Sequence, residues 1–318
     1  MWEGARRVRG ARRANADRGG SDLATTYILY NPYADNGNCR AQTERLQRDY
    51  HDAVLINMSR INNYRVFFEG LEPDAAVILC GGDGTLNRFV NQTRGLTIGT
   101  PIYYFPSGSG NDFARDLGRD RHASPNFSIN RYLERLPTVT VNGKTWRFLN
   151  GVGYGIDGYC CEQGDRQRSR DRSRGRAKPV NYTSIAVKGL LFHYRPRNAS
   201  VTVDGETRAY KNVWLAPTMF GRYYGGGMMP APDQNRFRAD GKVSLMVFHG
   251  AGKLRTLAIF PSIFSGGHVR YEKQVSILEG TRITVTFDRP TPLQIDGETV
   301  RGVQSYTVAA PGAAEAPA

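Results

Sequence analysis

No apolar run in this 318-residue chain approaches the roughly 20 residues that a helix needs to cross a bilayer. No membrane-spanning helix is therefore expected. An apolar stretch near the start is also lacking, so no secretory signal is expected. Cysteine is scarce: the four (Cys39, Cys80, Cys160, Cys161) lack the spacing of a zinc site, and an adjacent pair suits neither a routine disulfide nor a zinc knuckle. Reduced thiols in a cytoplasmic protein are the expectation. Acidic residues are too few to balance the basic ones, 29 against 43, which leaves a net charge of +14. The excess is uneven. Residues 1–18 hold six Arg against Glu3 and Asp17, and residues 164–178 hold six Arg and Lys178 against Asp165 and Asp171. Between these patches the body is only mildly basic, which argues against a uniformly basic nucleic-acid binder. Few aromatics interleave with the second run, so no nucleic-acid partner is expected.

What is present is an ordinary globular composition, 40% hydrophobic and 23% charged. The length fits two domains. Residues 1–23 and 311–318, poor in large apolar side chains, are expected to be disordered tails. From 24 to 135, strands at Thr25–Tyr30, Ala53–Asn57, Ala75–Cys80 and Pro101–Phe105 alternate with helical patterns, one of them over Ile61–Leu71. That alternation predicts an α/β domain with a Rossmann-like parallel sheet and helices on both faces. From 136 to 310 the pattern is mostly β, with hairpin signals at Asn142-Gly143, Asp204-Gly205, Asp240-Gly241 and Asp296-Gly297. Strands are expected at Val213–Ala216, Val243–Phe248 and His268–Ile277, helices at Tyr182–Phe192 and Leu254–Ile263. A mostly antiparallel sandwich or flattened barrel follows, carrying a basic insert at 164–178.

The chemistry is concentrated at Val77–Asn87. Four apolar residues end in Gly81-Gly82-Asp83-Gly84-Thr85, and a helical pattern follows. A buried strand, a turn of nearly bare backbone and a helix N-terminus together form a phosphate site. Asp83 places a carboxylate where a cation such as Mg²⁺ would be welcome. Asn31-Pro32 and Gly108–Asp112 also follow predicted strands. Ligands of such sheets sit past the carboxyl ends, so three loops converge on one crevice.

These segments resemble the diacylglycerol kinase catalytic-domain family, which includes soluble bacterial lipid kinases and the sphingosine and ceramide kinases. The resemblance rests on Asn31-Pro32, Gly81–Asn87, Pro106-x-Gly108–Arg115, Asn150-x-x-x-x-Gly155-x-Asp157, Gly225-Gly226-Gly227 with Pro230, Asp240-Gly241 and Ile295-Asp296-Gly297-Glu298. It runs from about residue 25 to 310. The Gly-Gly-Asp-Gly-Thr core is shared with NAD kinases, whereas Gly108–Arg115 is far more specific.

The resemblance implies ATP and Mg²⁺. Nucleotide binding would fall to Asn31, Gly81, Gly82, Asp83, Gly84, Thr85, Leu86, Asn87 and Ser109. Asp83 would organise the catalytic Mg²⁺, with Asp112 and Asp157 extending an acidic network. A helix cap is the other reading of Asp112, and a Gly-rich turn that of Asp157. Asp240, with the carbonyls of Phe237 and Lys242, would hold a second, structural Mg²⁺, or simply close another Asp-Gly turn. Glu298 is the expected general base with Asp296 beside it, although Asp204-Gly205-Glu206-Thr207 nearly repeats that segment and composition cannot separate the two. The leading expectation is an ATP-dependent lipid kinase, most simply converting diacylglycerol to phosphatidate at an anionic membrane surface as a cytoplasmic, peripherally bound enzyme. A kinase of another acceptor, such as a sphingoid lipid or NAD, and a nucleotide-binding regulator without turnover are the alternatives. A homodimer is left open.

Overall fold

Five strands make the first sheet: β1 (Thr26–Tyr30), β2 (Val54–Asn57), β3 (Ala76–Gly81), β4 (Ile102–Pro106) and β5 (Phe127–Ser128), in the order β2-β1-β3-β4-β5. All pairs are parallel except the edge pair β4–β5. The computed structural model describes residues 25–32, 39–108, 110–119, 126–174 and 180–314. The predicted tail 1–23 and Ser109 lie outside the described residues.

Alternate residues of the central strands serve opposite faces. Ile28, Ile78 and Cys80 pack with Leu46 of helix α1 (Cys39–Asp49) on one side. Tyr27, Leu29, Val77 and Leu79 pack on the other against helices α2 (Tyr64–Glu69) and α3 (Asp83–Gln92). Burial of both faces is why these strands read as continuous apolar runs. The helix predicted over Ile61–Leu71 starts later, because the Asn63 side chain accepts from the Arg65 and Val66 amides and caps α2. Two short helices follow, α4 (Asp112–Asp116) and α5 (Asn130–Leu133).

The second sheet is antiparallel throughout. Its strands are β6 (Thr138–Val141), β7 (Lys144–Arg147), β8 (Gly151–Tyr154), β9 (Arg197–Val203), β10 (Glu206–Val213), β11 (Thr218–Met219), β12 (Val243–Phe248), β13 (Val275–Gly280), β14 (Arg282–Ile295) and β15 (Glu298–Ala309). The main path is β13-β12-β11-β8-β14-β15-β6-β7, with β9 on β14 and β10 on β9. Strand β14 pairs β9 through Ile283–Phe287 and β8 through Leu293–Ile295, with register shifts between. Such a strand turns the corner of a sandwich.

Three helices cover one side of this sheet: α6 (Ile156–Ser173), α7 (Tyr182–Lys188), which continues in a π-helical turn over Gly189–His193, and α8 (Lys253–Ile259). Ile156, Leu190, Trp214, Met246 and Ile263 form the core beneath them. Among the described residues no helix is long and apolar enough to cross a membrane.

Two expectations are corrected, and the basic stretch is partly helical. Residues 164–173 of the basic stretch expected as an insert are the last turns of α6, and its residues 175–178 lie outside the described residues. Arginine at every second position hides the helical period, while Glu162–Arg166 and Asp165–Arg168 pairs support it. His268–Arg270 lies in a 3₁₀ turn rather than a strand, because Gly266 turns the chain at φ 72° and the His268 ring is held by the Pro230 carbonyl at 2.8 Å. Residues 311–314 are no loose tail: the Ala313 amide bonds to the Ala310 carbonyl, and Arg282 to that of Ala314.

Candidate active site

Sheet register sets the floor of the site. Tyr30 is aligned with Cys80 and Gly81 with Pro106, so Asn31, Gly82–Thr85 and Ser107–Gly108 leave the same edge of the parallel sheet. The last two segments touch backbone to backbone. A Cβ on Gly82 would stand 2.9 Å from Gly108 Cα, and one on Gly108 would stand 2.4 Å from Gly82 Cα. Only glycine fits that approach. Asn111, at φ 51°, closes its loop by accepting from the Gly108 amide at 3.0 Å and donating to the Gly108 carbonyl at 2.7 Å.

Helix α3 begins here. The Gly82 carbonyl accepts from the Leu86 amide at 3.1 Å, so the amides of Asp83, Gly84 and Thr85 have no acceptor within the helix. Amides so placed at a helix N-terminus suit a phosphate group. Two residues expected to contact nucleotide turn their side chains elsewhere. The Leu86 side chain is fully buried in the core. Asn87 turns its amide inward, donating to Asp296 Oδ2 at 2.8 Å and to the Arg147 carbonyl at 3.2 Å.

Asp83 ties three segments together. Its Oδ2 accepts from the Asp112 amide at 2.9 Å, and its Oδ1 accepts from the Phe113 amide at 2.9 Å and from Asn150 Nδ2 at 3.1 Å. It thus caps α4 from another loop, a role helix ends require. Asp112 is buried beside it. Asp112 Oδ2 accepts from the Gly226 amide at 2.7 Å, while Oδ1 has no partner. Burial, with the Asp83 charge second, pushes the Asp112 carboxyl up to about 7, against the pull of the Gly226 amide and Arg115. An orphaned, buried carboxylate oxygen next to a second carboxylate fits a hard cation.

Asp157 does not complete that pair. It lies in the first turn of α6, with Oδ1 on the Gly158 amide at 2.8 Å and Oδ2 unpartnered, and burial lifts it to about 6. Its neighbours are Tyr224 and Gln294. Among the described residues no group of three His, Cys, Asp or Glu side chains is arranged to hold a metal. Of the three carboxylates expected in one network, Asp83 and Asp112 lie side by side, and Asp157 bonds within its own helical turn.

At the second place expected to hold Mg²⁺, the side chains pair with one another. Asp240 is held by a guanidinium: Arg238 Nε donates to Oδ1 at 2.6 Å and Nη2 to Oδ2 at 3.0 Å. The same guanidinium meets Glu279 at 2.8 and 2.7 Å. The Lys242 carbonyl accepts from Gln234 Nε2 at 3.2 Å, and Phe237 contributes its amide to Asn235. An arginine fork stands where the cation was expected.

From the second domain the β14–β15 hairpin enters the crevice. Asp296, at its turn, is buried and accepts four hydrogen bonds: from the Leu149 amide (2.6 Å), the Asn150 amide (2.8 Å), the Gly151 amide (3.0 Å) and Asn87 (2.8 Å). Burial raises its carboxyl and these donors pull it back. Glu298 follows, and its Oε1 lies 3.2 Å from where a Cβ on Gly84 would stand. Its side chain is reached by solvent yet crowded, so its carboxyl is raised, first by lost hydration, then by Asp165, and lowered by Arg168 and Arg88.

The look-alike turn is elsewhere. Asp204 accepts from the Thr281 and Arg282 amides, and Glu206 lies exposed near Arg208. Cavities of about 240 Å³ at Asn63–Arg94 and about 260 Å³ at Asp204–Glu206 are lined by none of the crevice residues.

Sequence reading assigned no role to Asn150, Asp116 or Arg236. Asn150 bonds Asp83, as above. Asp116 accepts from Arg236 Nε at 2.7 Å and from the Arg222 amide at 3.0 Å, and Arg236 stacks over Phe113 at 4.8 Å. Asp116, one helical turn after Asp112, carried a weak signal; Arg236, in an irregular segment, carried none.

Models of known families match both halves of the chain: the diacylglycerol kinase catalytic domain over residues 25–139, and the YegS C-terminal NAD kinase beta sandwich-like domain over residues 152–315. A diacylglycerol kinase of Mycobacterium tuberculosis is 26% identical over 204 residues, 62% of each chain, so the chain spans less than two thirds of that relative's length. A Staphylococcus epidermidis relative, 29% identical over 72% of each chain, carries a name that specifies a lipid kinase and no acceptor. A Bacillus anthracis crystal structure titled as a diacylglycerol kinase shares the fold, with TM-score 0.56 at 16% identity over 92% of this chain and 96% of that one.

Proposed function

The chain belongs to the diacylglycerol kinase catalytic-domain family, and from that premise we propose that it is an ATP-dependent lipid kinase acting on a hydroxyl of diacylglycerol or a similar lipid, at an anionic membrane surface. The observation that carries the proposal is the approach of Glu298 to Gly84, a carboxylate of one domain against the phosphate cradle of the other.

Phosphoryl transfer needs positioning, charge neutralisation and a place for the acceptor proton. The amides of Asp83, Gly84 and Thr85 hold the nucleotide phosphates. Asp83 and Asp112 are the residues to hold Mg²⁺, which when bound neutralises phosphate charge. Glu298 accepts the proton of the attacking hydroxyl, and its raised carboxyl makes it a better base than a free glutamate. Asp296, saturated by four donors, positions the hairpin rather than moving a proton. Gly108–Arg115, built around Asn111, favours a lipid acceptor over NAD, because that segment is the part of the resemblance NAD kinases do not share.

The test is transfer of radiolabel from γ-labelled ATP to diacylglycerol, sphingosine, ceramide, undecaprenol and NAD in parallel. Label in one lipid is expected. Label in NAD alone, or in nothing while the protein still binds ATP, overturns the proposal.

A further inference from the structure

Leu254 and Phe192 are the two most exposed large apolar side chains among the described residues, at 81% and 71%. They stand on neighbouring elements. Phe192 is in the π-helical turn after α7 and Leu254 in the first turn of α8, and Lys253 Nζ joins the two by donating to the Leu191 carbonyl at 2.8 Å. Their backing is rigid, since Leu190, Ile259 and Ile263 are buried beneath them. Exposed apolar tips on a fixed platform call for a partner.

The charge around them says which. Residues 182–197 and 251–274 contain seven Lys and Arg against a single acid, Glu272. Lys188, Arg195, Lys253, Arg255 and Arg270 are all exposed. Arg255 and Arg270 lie over the Tyr271 ring at 5.2 and 5.1 Å, a half-buried aromatic with cations on it. Apolar tips ringed by cations and an amphipathic aromatic suit the headgroup layer of an anionic bilayer. The basic end of α6 borders the same face, because Arg168 donates to the Tyr182 hydroxyl of α7 at 2.5 Å.

The face is also wired to the crevice. Beyond α8, the Ile263 carbonyl accepts from the Met229 amide at 3.0 Å, and His268 bonds the Pro230 carbonyl at 2.8 Å. The same loop begins at Tyr224, and its Gly226 amide holds Asp112.

We infer that the Phe192–Leu254 face is the surface by which this protein docks on an anionic lipid bilayer, presenting the crevice to acceptors in the membrane. The inference rests on the lipid-kinase reading for its purpose but not for its test. Full-length protein and the double variant Phe192→Ser/Leu254→Ser are floated with vesicles of pure phosphatidylcholine and of phosphatidylcholine with phosphatidylglycerol. Turnover is measured on bilayer acceptor and on a monomeric short-chain acceptor. The wild type is expected to bind anionic vesicles at least tenfold better than neutral ones, more weakly as salt rises. The variant should lose at least tenfold in binding and in bilayer turnover, with an unchanged melting temperature and unchanged turnover on the short-chain acceptor. Wild-type protein that ignores anionic vesicles, or a variant that binds them equally, overturns the docking face. Preferential binding of RNA or of a protein through the same residues does so as well. Vesicle binding that depends on Phe192 and Leu254, with no lipid acceptor phosphorylated, leaves the face standing and removes the kinase reading alone.

Discussion

Asn87 donates to Asp296 at 2.8 Å across 209 positions of sequence, a side-chain bond that fastens the last hairpin of the second domain to helix α3 of the first. With the Leu149, Asn150 and Gly151 amides on the same carboxylate, it fixes where Glu298 points. Two neighbouring acids are therefore expected to do different work, and mutation separates them. Asp296→Asn places an amide against backbone donors, so it lowers both turnover and thermal stability, the latter by about 2–3 kcal/mol. Glu298→Gln lowers turnover by roughly 10²–10⁴-fold with little change in melting temperature or in ATP affinity. Glu206→Gln, in the look-alike turn, leaves turnover within twofold or so. Steady-state kinetics and thermal melts on the three variants check this; equal loss of activity at Glu206 and Glu298 contradicts it.

The acid limb of the pH profile tests the surroundings of Glu298. A base must be ionised to accept a proton, so kcat/KM falls as pH drops through its pKa, which lies above the ordinary 4.5. Asp165 holds that pKa up and Arg168 holds it down. Asp165→Asn should therefore move the limb to lower pH, and Arg168→Gln, which also leaves Asp165 without its 2.6 Å partner, to higher pH. Monomeric acceptor is used so that vesicle binding does not enter. Shifts in the same direction would show that another group sets the limb.

Much of this was legible in the sequence, and the reasons are physical. Strand runs such as Val77–Cys80 are buried on both faces, so composition alone marked them, and Gly82 and Gly108 stand out because backbone meets backbone there. What stayed hidden depends on long-range pairing. Nothing local in Asn87 says that its amide faces Asp296, and nothing in Asp240 says that Arg238 closes on it. Helix α6 was hidden for a different reason: its arginines fall on all sides, so no apolar period survives, and its stability comes from contacts with α7, β14 and β15.

The Asp116–Arg236 pair predicts a stability hub where none was expected. Both side chains are almost completely buried, at 5% and 3% exposure, and they join α4 to the segment after β11. Asp116→Ala leaves a guanidinium without a counter-charge between Phe113 and Phe220, and should cost about 3–5 kcal/mol. Adding Arg236→Met should recover much of the loss, since the stranded charge goes with it. Arg222→Ala, removing the half-exposed partner of the same aspartate, should cost no more than about 1 kcal/mol. Urea unfolding of the four proteins measures each value. A double variant less stable than Asp116→Ala would show that packing, not charge, is at stake.

Metal removal separates the two places where a cation was expected. At Asp83 and Asp112 an orphaned oxygen leaves room for one. At Asp240 the Arg238 fork already satisfies both carboxylate oxygens and bridges to Glu279 on β13, and it holds the Asp240 carboxyl below its usual range. Chelation should therefore stop turnover without lowering the melting temperature. Arg238→Gln should lower the melting temperature by a few degrees in the presence and absence of chelator alike. The melts are run without nucleotide and in an Asp112→Asn background, so that the first site contributes nothing. Mg²⁺ or Ca²⁺ that raises the melting temperature in that background, and fails to do so once Asp240 is changed to Asn, would mean that a cation displaces the arginine at Asp240.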